Sequence, residues 1–414
     1  MSGSVSPPNS VIVIGGGIVG LSTAWYLQEH GIEVTVVDRG PVGGGASWGN
    51  AGWVVPGLVT PLAEPGGWKH GVEALFRKDA PVSIPPRFDP ALWRFLARFS
   101  RNMTAGRWRR TVECLQPLVA RALDAFGELH AAGAAPAVIE APYSVGFRSP
   151  AAADHYRNHL EELRGMGQPV EYVNGFSIPQ FSAEVTDSLR VMGQGFIDPG
   201  AYVVNLAASV KQRGGRILEN WPIHGVADTG SGLGVSVVSA DGGTEVADAV
   251  VLATGASIPR LGRAWGLRTP LQPGRGYSFT VDCELPLDGP LYLPAERVVL
   301  TPYAGAVRVA GTMEFAGFDD PLNTARLDSV AAAAKPMVRG IDWSTWRDFW
   351  VGPRPVTADG LPVLGALRSP RIFANGGHGM WGIVLGPVSG RLLAGLIAEG
   401  CTPIDLAPFN PLRR

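Results

Sequence analysis

The sequence predicts an α/β protein in which a parallel-sheet domain, interrupted along the chain, is joined to a second α+β domain with a mainly antiparallel sheet. Three observations support this prediction: a strand–helix–strand pattern over residues 11–37, its return after residue 199, and alternating strands over residues 277–309. The chain has 414 residues, of which 46% are hydrophobic. A chain of this size can bury more than one core, so two domains are expected.

The first element is a short β-branched run at residues 11–14, typical of a buried parallel strand, which stops at a glycine cluster. A helix is expected over residues 19–30. It should end at Gly31, because glycine readily adopts the positive φ found just after a helix. Residues 33–37 then predict the second strand, which completes a βαβ unit.

The glycine cluster has the spacing G-x-G-x-x-G at Gly15, Gly17 and Gly20. In such a pattern the first glycine permits a tight turn, the second lets the backbone approach a pyrophosphate, and the third lets the helix pack on the strand. The helix amides near Ile18 and Val19 would then face the phosphates. The pattern predicts a Rossmann-like dinucleotide-binding domain.

Asp38 ends the second predicted strand, where its carboxylate can accept hydrogen bonds from ribose hydroxyls. These features alone do not distinguish NAD from FAD. A later strand is predicted over residues 249–254, with Ala253 and Gly255 at its end, and it follows a strand and loop near Ile223. Two nucleotide-facing segments separated by a large insertion are expected where one long cofactor extends into a second domain, and they favour FAD.

The chain between these segments departs from the βαβ pattern. Loops rich in proline and glycine follow residue 56, an arginine-rich helix begins near Asp89, and a long helix is expected over residues 112–132. Further predictions are a helix over 202–213, a strand over 216–219, a hairpin near 230–243 and a last helix over 382–398. The expected FAD-binding domain comprises residues 1–58, 199–271 and 350–414, and the expected substrate or cap domain comprises residues 59–198 and 272–349.

The charge and cysteine content limit the classes of partner. Lysine and arginine number 35 against 36 acidic residues, so nucleic acid is not expected as a partner. The three cysteines are widely spaced, which predicts neither a disulfide framework nor a metal site. The first ten residues lack a basic segment, and no run is expected to be long and apolar enough to span a bilayer, so a cytoplasmic location is expected.

The sequence resembles the D-amino acid dehydrogenase branch of the glycine and D-amino acid oxidase family of flavoproteins. The similar segments follow the family's order over nearly the whole chain and include VIVIGGGIVGLSTAWYL, VVDR, SWGNAGWVVPGLVTPLAEPG, FRKDAP, PGRGYS, GTMEF, RPVTADGLPVLG and NGGHGMWG. This resemblance implies FAD bound in an extended form, a discontinuous nucleotide domain, and a substrate domain whose sheet covers the flavin ring.

The resemblance also implies further cofactor contacts after the second strand and before the last helix. These contacts are Arg39, Ala46, Ser47, Ala51, Gly52, Trp53, Ile223 near the adenine, Gly377, His378, Gly379, Met380, Trp381, Gly382 and Ile383. The glycine-lined amides before the last helix would stabilise negative charge on a reduced ring. Ordinary core packing is the alternative for Trp53 and Trp381, and a flexible turn is the alternative for the NGGHGMWG segment.

The predicted substrate-binding residue is Arg354, which stands in an Arg-Pro motif. Similar members of the family place a carboxylate-binding arginine in this motif. Arginine is always charged and binds carboxylates in a bidentate manner, and Pro355 favours an extended backbone at this position. An ion-paired or surface arginine is the alternative. Tyr277 and His378 are candidates for the general base, with structural hydrogen bonding as an equal alternative for each.

The predicted function is oxidative deamination of a D-amino acid, in which a hydride passes from Cα to the flavin and the imino acid hydrolyses to a 2-oxo acid and ammonia. Electrons would pass to a quinone or the respiratory chain. The alternatives are an oxidase or dehydrogenase of a cyclic or secondary amine, such as hydroxyproline, proline, sarcosine or glycine, with O2 as acceptor, and a flavin-containing protein without turnover.

Three further expectations concern the pocket, the flavin linkage and the membrane. Met380 stands where glycine oxidases of the family carry a second arginine, so a more apolar pocket is expected. No cysteine lies near Arg354 in sequence, so the FAD is expected to be non-covalent. The basic amphipathic pattern over residues 90–110 fits peripheral membrane contact, with a cap helix as the alternative.

Overall fold

The computed structural model of the chain describes residues 7–65, 67, 82–85, 87–230 and 234–413. One sheet in it is built from the strands β1 (Ser10–Ile14), β2 (Glu33–Val37), β10 (Arg216–Leu218), β14 (Ala249–Leu252), β20 (Val363–Ala366) and β21 (Ile372–Gly376). Their order is β10-β2-β1-β14-β21-β20. All neighbours are parallel except β20 and β21, which confirms the Rossmann-like prediction.

The helices of the described residues are numbered in chain order. They are α1 (Ile18–Glu29), α2 (Pro90–Arg101), α3 (Ala105–Val119), α4 (Ala122–Ala131), α5 (Pro150–Gly165), α6 (Pro199–Gln212), α7 (Ile258–Gly262), α8 (Thr324–Ala334) and α9 (Gly382–Glu399). Helix α1 packs on both α6 and α9 beside the parallel sheet. Helix α9 ends one residue later than the predicted 398 and is followed by Gly400, whose φ is +73°.

Helix α9 corrects the expectation that no run is long and apolar enough for a membrane span. Residues Gly379–Glu399 are long and apolar enough to cross a bilayer, with a mean hydropathy of 1.5. However, 67% of their most apolar stretch is buried within the protein. Val388 and Leu392 belong to the same apolar core as Leu21 and Trp25 of α1. The burial is typical of a core helix, which has to be apolar on most of its faces.

A small antiparallel sheet of three strands adjoins the parallel one. Its strands are β11 (Ile223–Asp228), β12 (Val235–Ser239) and β13 (Thr244–Ala247), paired in that order. The prediction of a single hairpin near residues 230–243 was therefore incomplete, because of the three strands only β12 lies within the predicted range.

The second large sheet contains β4 (Val82–Ser83), β6 (Tyr143–Phe147), β7 (Glu171–Asn174), β8 (Asp187–Met192), β15 (Leu271–Cys283), β16 (Leu291–Leu293), β17 (Val298–Tyr303), β18 (Ala306–Glu314) and β19 (Ile341–Thr357). The main path is β19-β15-β18-β17-β16-β6-β8-β7, and β4 pairs with β18. Only the β16–β6 and β18–β4 pairs are parallel within the described residues. The prediction of a mainly antiparallel sheet is confirmed.

Three two-residue strands form a third antiparallel sheet: β3 (Trp53–Val54), β5 (Ile139–Glu140) and β9 (Gly195–Phe196), in the order β3-β9-β5. Strand β3 continues the loop after β2, and β9 leads directly into α6. This sheet therefore joins segments of the two expected domains.

The structure differs from the expected domain division in two places. Residues 105–131 form α3 and α4, separated at residues 120–121 rather than one helix over 112–132, and their Leu115, Phe126 and Leu129 lie in the core of the parallel-sheet domain. The expected boundary at residue 350 falls inside β19. Apolar residues at helical spacing show that a helix is buried, but they do not show which sheet it is buried against.

Helix α2 packs its apolar face on the protein itself. Leu92, Phe95 and Phe99 are buried, together with Phe315 beyond the end of β18. The helix begins at Asp89, whose Oδ1 accepts hydrogen bonds from the amides of residues 91 and 92. The apolar face of α2 therefore packs on the protein, as the cap-helix alternative to membrane contact expects. The arginines of α2 lie on its exposed face.

The contact between α1 and α9 yields a prediction about stability. An ideal Cβ on Gly390 would lie 2.7 Å from the backbone nitrogen of Thr23, and backbone cannot move aside as a flexible side chain can. We expect Gly390→Ala to lower the free energy of unfolding by about 1–3 kcal/mol in urea denaturation.

Gly395→Ala in the same helix is the matched control, because the nearest atom to its Cβ is 3.8 Å away. Alanine is a better helix former than glycine, so this variant should be as stable as the wild type or slightly more stable. Equal stability of the two variants would contradict the proposed close contact.

Candidate active site

A cavity of about 620 Å³ lies at the carboxyl ends of the parallel strands. Ile14 at the end of β1, Val37 at the end of β2 and Gly376 at the end of β21 line one side. Val351 and Arg354 of β19 line the other, so both large sheets contribute. This edge is where open α/β sheets bind their ligands.

Most of the predicted site residues line this cavity. They are Gly15, Gly17, Ile18, Val19, Asp38, Arg39, Ala46, Ser47, Ile223, Ala253, Gly255, Arg354, His378, Gly379, Met380, Gly382 and Ile383. The structure thus brings together segments that are distant in sequence.

Seven predicted residues do not line the cavity: Gly20, Ala51, Gly52, Trp53, Tyr277, Gly377 and Trp381. Gly20 has the packing role expected of the third glycine, because its Cβ would lie 1.9 Å from the carbonyl oxygen of Gly15. Gly52 has a φ of +74°, and a Cβ there would lie 2.1 Å from the carbonyl oxygen of residue 197. These glycines permit close backbone packing instead of touching a ligand.

Trp53 and Trp381 pack within the protein, which was the alternative to a cofactor contact for both. Trp53 stacks on Tyr143 with ring centroids 5.2 Å apart, and its indole nitrogen donates to Thr301 Oγ1 at 3.0 Å. The indole nitrogen of Trp381 donates to the carbonyl oxygen of Thr60 at 2.6 Å. Both rings therefore fix the loop after β2 and the segment before α9.

The prediction missed several lining residues, including Gly40, Gly45, Asn50, Arg260, Phe318 and Asp319. The glycine-rich run after β2 was visible in the sequence. Phe318 and Asp319 were not, because no local pattern connects them to a nucleotide. Arg39 and Arg260 both stack on the Phe318 ring, at 4.6 and 5.1 Å from its centroid, and both pair with Asp319.

The carboxylate of Asp38 organises the glycine turn. Its Oδ2 accepts from the amide of Gly16 at 2.6 Å, and its Oδ1 accepts from the amide of Gly40 at 2.9 Å. The Ile18 amide donates to Ser47 Oγ at 3.1 Å. The N-cap residue Gly17 of α1 has no side chain, so apart from the Ser47 contact this helix start keeps the polarity that favours a phosphate.

The open space beside four glycines shows that the cavity fits a bound dinucleotide. Gly40, Gly45, Gly255 and Gly379 all line the cavity, and an ideal Cβ on any of them would have no atom within 4 Å. Side chains at these positions would fill the cavity itself. The glycines therefore keep clear the volume that an extended cofactor needs.

Three arginines line this cavity, and Arg354 differs from Arg39 and Arg260 in that it does not pair with Asp319. It is partly buried, and its Nη1 donates to the carbonyl oxygen of Thr312 at 3.0 Å. It forms no ion pair within the part of the chain that the structure describes, so the ion-paired alternative is not seen. Burial lowers the pKa of Arg354 to about 10, which leaves the group charged at neutral pH.

Two features of the sheet hold the guanidinium of Arg354. Gly276 lies beneath it, because a Cβ there would come within 2.2 Å of Arg354 Cζ. Opposite Gly276, the pairing shifts so that Thr312 and Met313 of β18 face one residue, which is a β-bulge. Thr312 has a φ of +56°, costly for a β-branched residue, and its carbonyl accepts the hydrogen bond from Arg354.

Tyr277 is buried in the sheet, away from the cavity. Its hydroxyl donates to Glu314 Oε2, and Arg275 lies 3.6 Å from the same oxygen. Burial and the neighbouring Glu314 carboxylate raise the pKa of Tyr277 well above its usual value. A hydroxyl held in this way has a structural role, so the candidate base at Tyr277 is not supported.

His378 lines the cavity just before α9 and is 4% exposed. Ser389 Oγ donates to the Gly386 carbonyl oxygen at 3.0 Å, so the His378 Nε2, at 3.1 Å, is the donor to Ser389 Oγ. Burial lowers the pKa of His378 to about 4. The imidazole is therefore neutral at pH 7, with Nδ1 as its acceptor.

The geometry defines a Rossmann-like protein with a dinucleotide-sized cavity, and comparison with known proteins gives its family. Residues 10–396 match the family DAO, described as FAD dependent oxidoreductase. The chain therefore belongs to the DAO family of FAD-dependent oxidoreductases, and FAD is its cofactor. The D-amino acid dehydrogenase of Agrobacterium fabrum (strain C58 / ATCC 33970) is 30% identical over 409 residues, covering 96% of this chain and 97% of the relative.

Solved structures show the same fold at lower identity. Glycine oxidase from Geobacillus kaustophilus has a TM-score of 0.74 at 23% identity, covering 99% of this chain and 100% of that chain. L-proline dehydrogenase from P. horikoshii has a TM-score of 0.72 at 16% identity, covering 99% and 98%. These similarities confirm the predicted architecture over the whole chain.

The close approach of Gly276 and Arg354 predicts that Gly276→Ala displaces the guanidinium. We expect KM for the amino-acid or amine substrate to rise on the order of tenfold, with unchanged FAD content measured by absorbance. Gly225→Ala is the control, because its Cβ has no neighbour within 4 Å. A Gly276→Ala enzyme with the wild-type KM would contradict this role.

The buried neutral state of His378 predicts a pH dependence of stability. Its pKa is about 4 in the folded chain and 6.5 when solvated, so the unfolded chain binds the extra proton between these values. Relative to His378→Gln, the wild type should lose about 1.4 kcal/mol of unfolding free energy per pH unit as pH falls from 6.5 to 4. Urea denaturation of both proteins across that range measures this, and parallel curves would contradict it.

Proposed function

We propose that the protein catalyses FAD-dependent oxidative deamination of a small amino acid, with a D-amino acid as the favoured substrate. The observation that carries the proposal is Arg354, a permanent cation in the cofactor cavity without an ion-pair partner among the described residues. A substrate carboxylate would supply the missing charge. The 30% identity to a relative named D-amino acid dehydrogenase supports the choice of enantiomer.

Residues of this chain would hold the cofactor along the whole cavity. The amides at the start of α1 would bind the pyrophosphate, and Asp38 would fix the glycine turn beside the ribose. The uncapped start of α9 and residues 378–383 would lie along the flavin. Cys114, Cys283 and Cys401 do not line the cavity, which supports a non-covalent linkage.

When bound, the FAD supplies the two-electron oxidant for the Cα–N bond. Arg354 would bind and orient the carboxylate in a bidentate manner, which fixes Cα relative to the cofactor. His378, neutral at pH 7, presents Nδ1 as an acceptor at the cavity wall. The imino acid product would hydrolyse to a 2-oxo acid and ammonia.

The wall near Arg354 is apolar. Val351, Pro353, Pro355, Met380 and Ile383 line it. This composition suits an alkyl side chain and equally suits a ring, so a cyclic or secondary amine is the second candidate substrate. The likeness to glycine oxidase and L-proline dehydrogenase structures concerns the fold and does not choose between the two.

The acceptor and the location are part of the proposal. A quinone or another component of a respiratory chain would accept the electrons in a dehydrogenase, and O2 would do so in an oxidase. We propose a cytoplasmic enzyme with the option of peripheral contact at the membrane. Stoichiometric peroxide formed in air during substrate turnover would assign the oxidase, and its absence with an active dye acceptor would assign the dehydrogenase.

The deciding experiment is anaerobic mixing of the enzyme with a panel of D- and L-amino acids, with flavin absorbance as the readout. Arg354→Ala should raise KM about 100-fold or more, because a charge-assisted bidentate pair is lost. FAD content should stay unchanged. Arg347→Ala, on the same strand but paired with Asp282 at the surface, should behave as the wild type.

Two outcomes would contradict the proposal. An Arg354→Ala enzyme with an unchanged KM would remove the carboxylate clamp. Flavin that no D-amino acid and no cyclic amine bleaches would remove the activity itself.

A further inference from the structure

A second cleft, of about 380 Å³, lies outside the cofactor cavity and is lined by four arginines. Arg94 and Arg98 come from the exposed face of α2, one turn apart. Arg263 and Arg268 come from the chain segment that follows α7. Two elements far apart in sequence therefore present positive charge to the same space.

The lining of this cleft contains no aspartate and no glutamate. None of the four guanidinium groups has a hydrogen-bond or ion-pair partner among the described residues. Many other arginines of the chain are paired: Arg109 with Glu162, Arg157 with Asp187, and Arg216 with Glu245. What distinguishes this cleft is that four arginines without a counter-charge line the same space.

The floor of the cleft is buried and apolar. Phe95 is 1% exposed and Leu267 is 4% exposed, and α2 contacts β15 beside them. A buried apolar floor with charged groups at the rim is typical of a small-molecule site, because water is excluded below while the cations remain free to bind. Like charges gathered without an anion repel one another, so a bound anion would stabilise the folded protein.

The cleft is separate from the proposed site of oxidation. Pro259 of α7 lines the cleft, whereas Arg260 and Leu261 of the same helix line the cofactor cavity. The four arginines do not line the cofactor cavity. Neither the phosphates of FAD nor the carboxylate bound by Arg354 accounts for them.

We propose that this arginine cleft binds a phosphate group. A phosphate carries up to two negative charges and offers several acceptor oxygens, and guanidinium groups bind it with parallel hydrogen bonds. Four converging arginines exceed what a single carboxylate can satisfy. The apolar floor would contact the organic part of a phosphate ester.

Two sources could supply the phosphate group: a soluble phosphate, or the headgroup of an anionic lipid. Trp93, 47% exposed on the same helix, and Phe88, 97% exposed just before it, lie beside the cleft in sequence. Aromatic side chains next to arginines suit contact with a lipid headgroup. The experiment therefore has one arm for each source.

The test uses the flavin-loaded enzyme in a buffer without phosphate. Inorganic phosphate is titrated by calorimetry and by thermal unfolding, and co-sedimentation is measured with phosphatidylcholine vesicles containing or lacking phosphatidylglycerol. The cleft variants are R94S/R98S, from one wall, and R263S/R268S, from the other. The control R101S/R110S removes the same charge from exposed arginines outside the cleft.

Each cleft variant should weaken binding about tenfold or more, since at least one charge-assisted hydrogen bond is lost from each wall. The control should bind as the wild type, and added salt should weaken binding in every case. Binding of phosphate alone would identify a soluble ligand, and binding of phosphatidylglycerol vesicles alone would identify a lipid headgroup. Binding of both would identify a phosphate site open to either source.

Two results would overturn the proposal. One is a wild-type enzyme that binds neither phosphate nor the anionic vesicles. The other is a control variant that loses as much binding as the cleft variants, because the effect would then reflect overall charge. Flavin bleaching by substrate is expected to be unchanged in all three variants, which separates this test from that of the proposed function.

Discussion

The guanidinium of Arg354 is the group on which the arrangement of the active site depends. It is partly withdrawn from water and has no ion-pair partner in the described chain, a state that is unfavourable for any charge. The sheet is shaped around it: Gly276 leaves room below, and the bulge at Thr312 turns a carbonyl oxygen towards it. Strained backbone at such a place is typical of sites in which orientation matters more than stability.

The cofactor cavity rests on a different constraint, the absence of side chains. Gly15 cannot carry a Cβ, because Ala253 O would lie 2.4 Å away, and Gly40, Gly45 and Gly255 leave the cavity open. Both carboxylate oxygens of Asp38 accept hydrogen bonds from backbone amides. Its carboxylate thereby shapes the turn that receives the nucleotide, a role beyond the contact with ribose that the sequence suggests.

The sequence was informative where function requires a local pattern. The glycine fingerprint, the strand ending at Asp38 and the segment before α9 all carry short-range signals, and most of their residues line the cavity. Arg354 was predictable because its motif is short and its charge is permanent. Phe318 and Asp319 could not be predicted, because they reach the cavity only through the pairing of the second sheet. Trp53 and Trp381 share motifs with lining residues, yet packing decides that they face elsewhere. Tyr277 belongs to a motif of which no residue lines the cavity.

The seam between α1 and α9 also has a consequence for biosynthesis. Helix α1 is buried on nearly every side in the folded protein and ends at Glu29, whereas its partner α9 begins only at Gly382, so α1 is translated well before α9. During synthesis part of the apolar surface of α1 therefore stays uncovered until the ribosome has made α9. Chaperone protection of α1 would matter most in this interval, because its partner helix is not yet present.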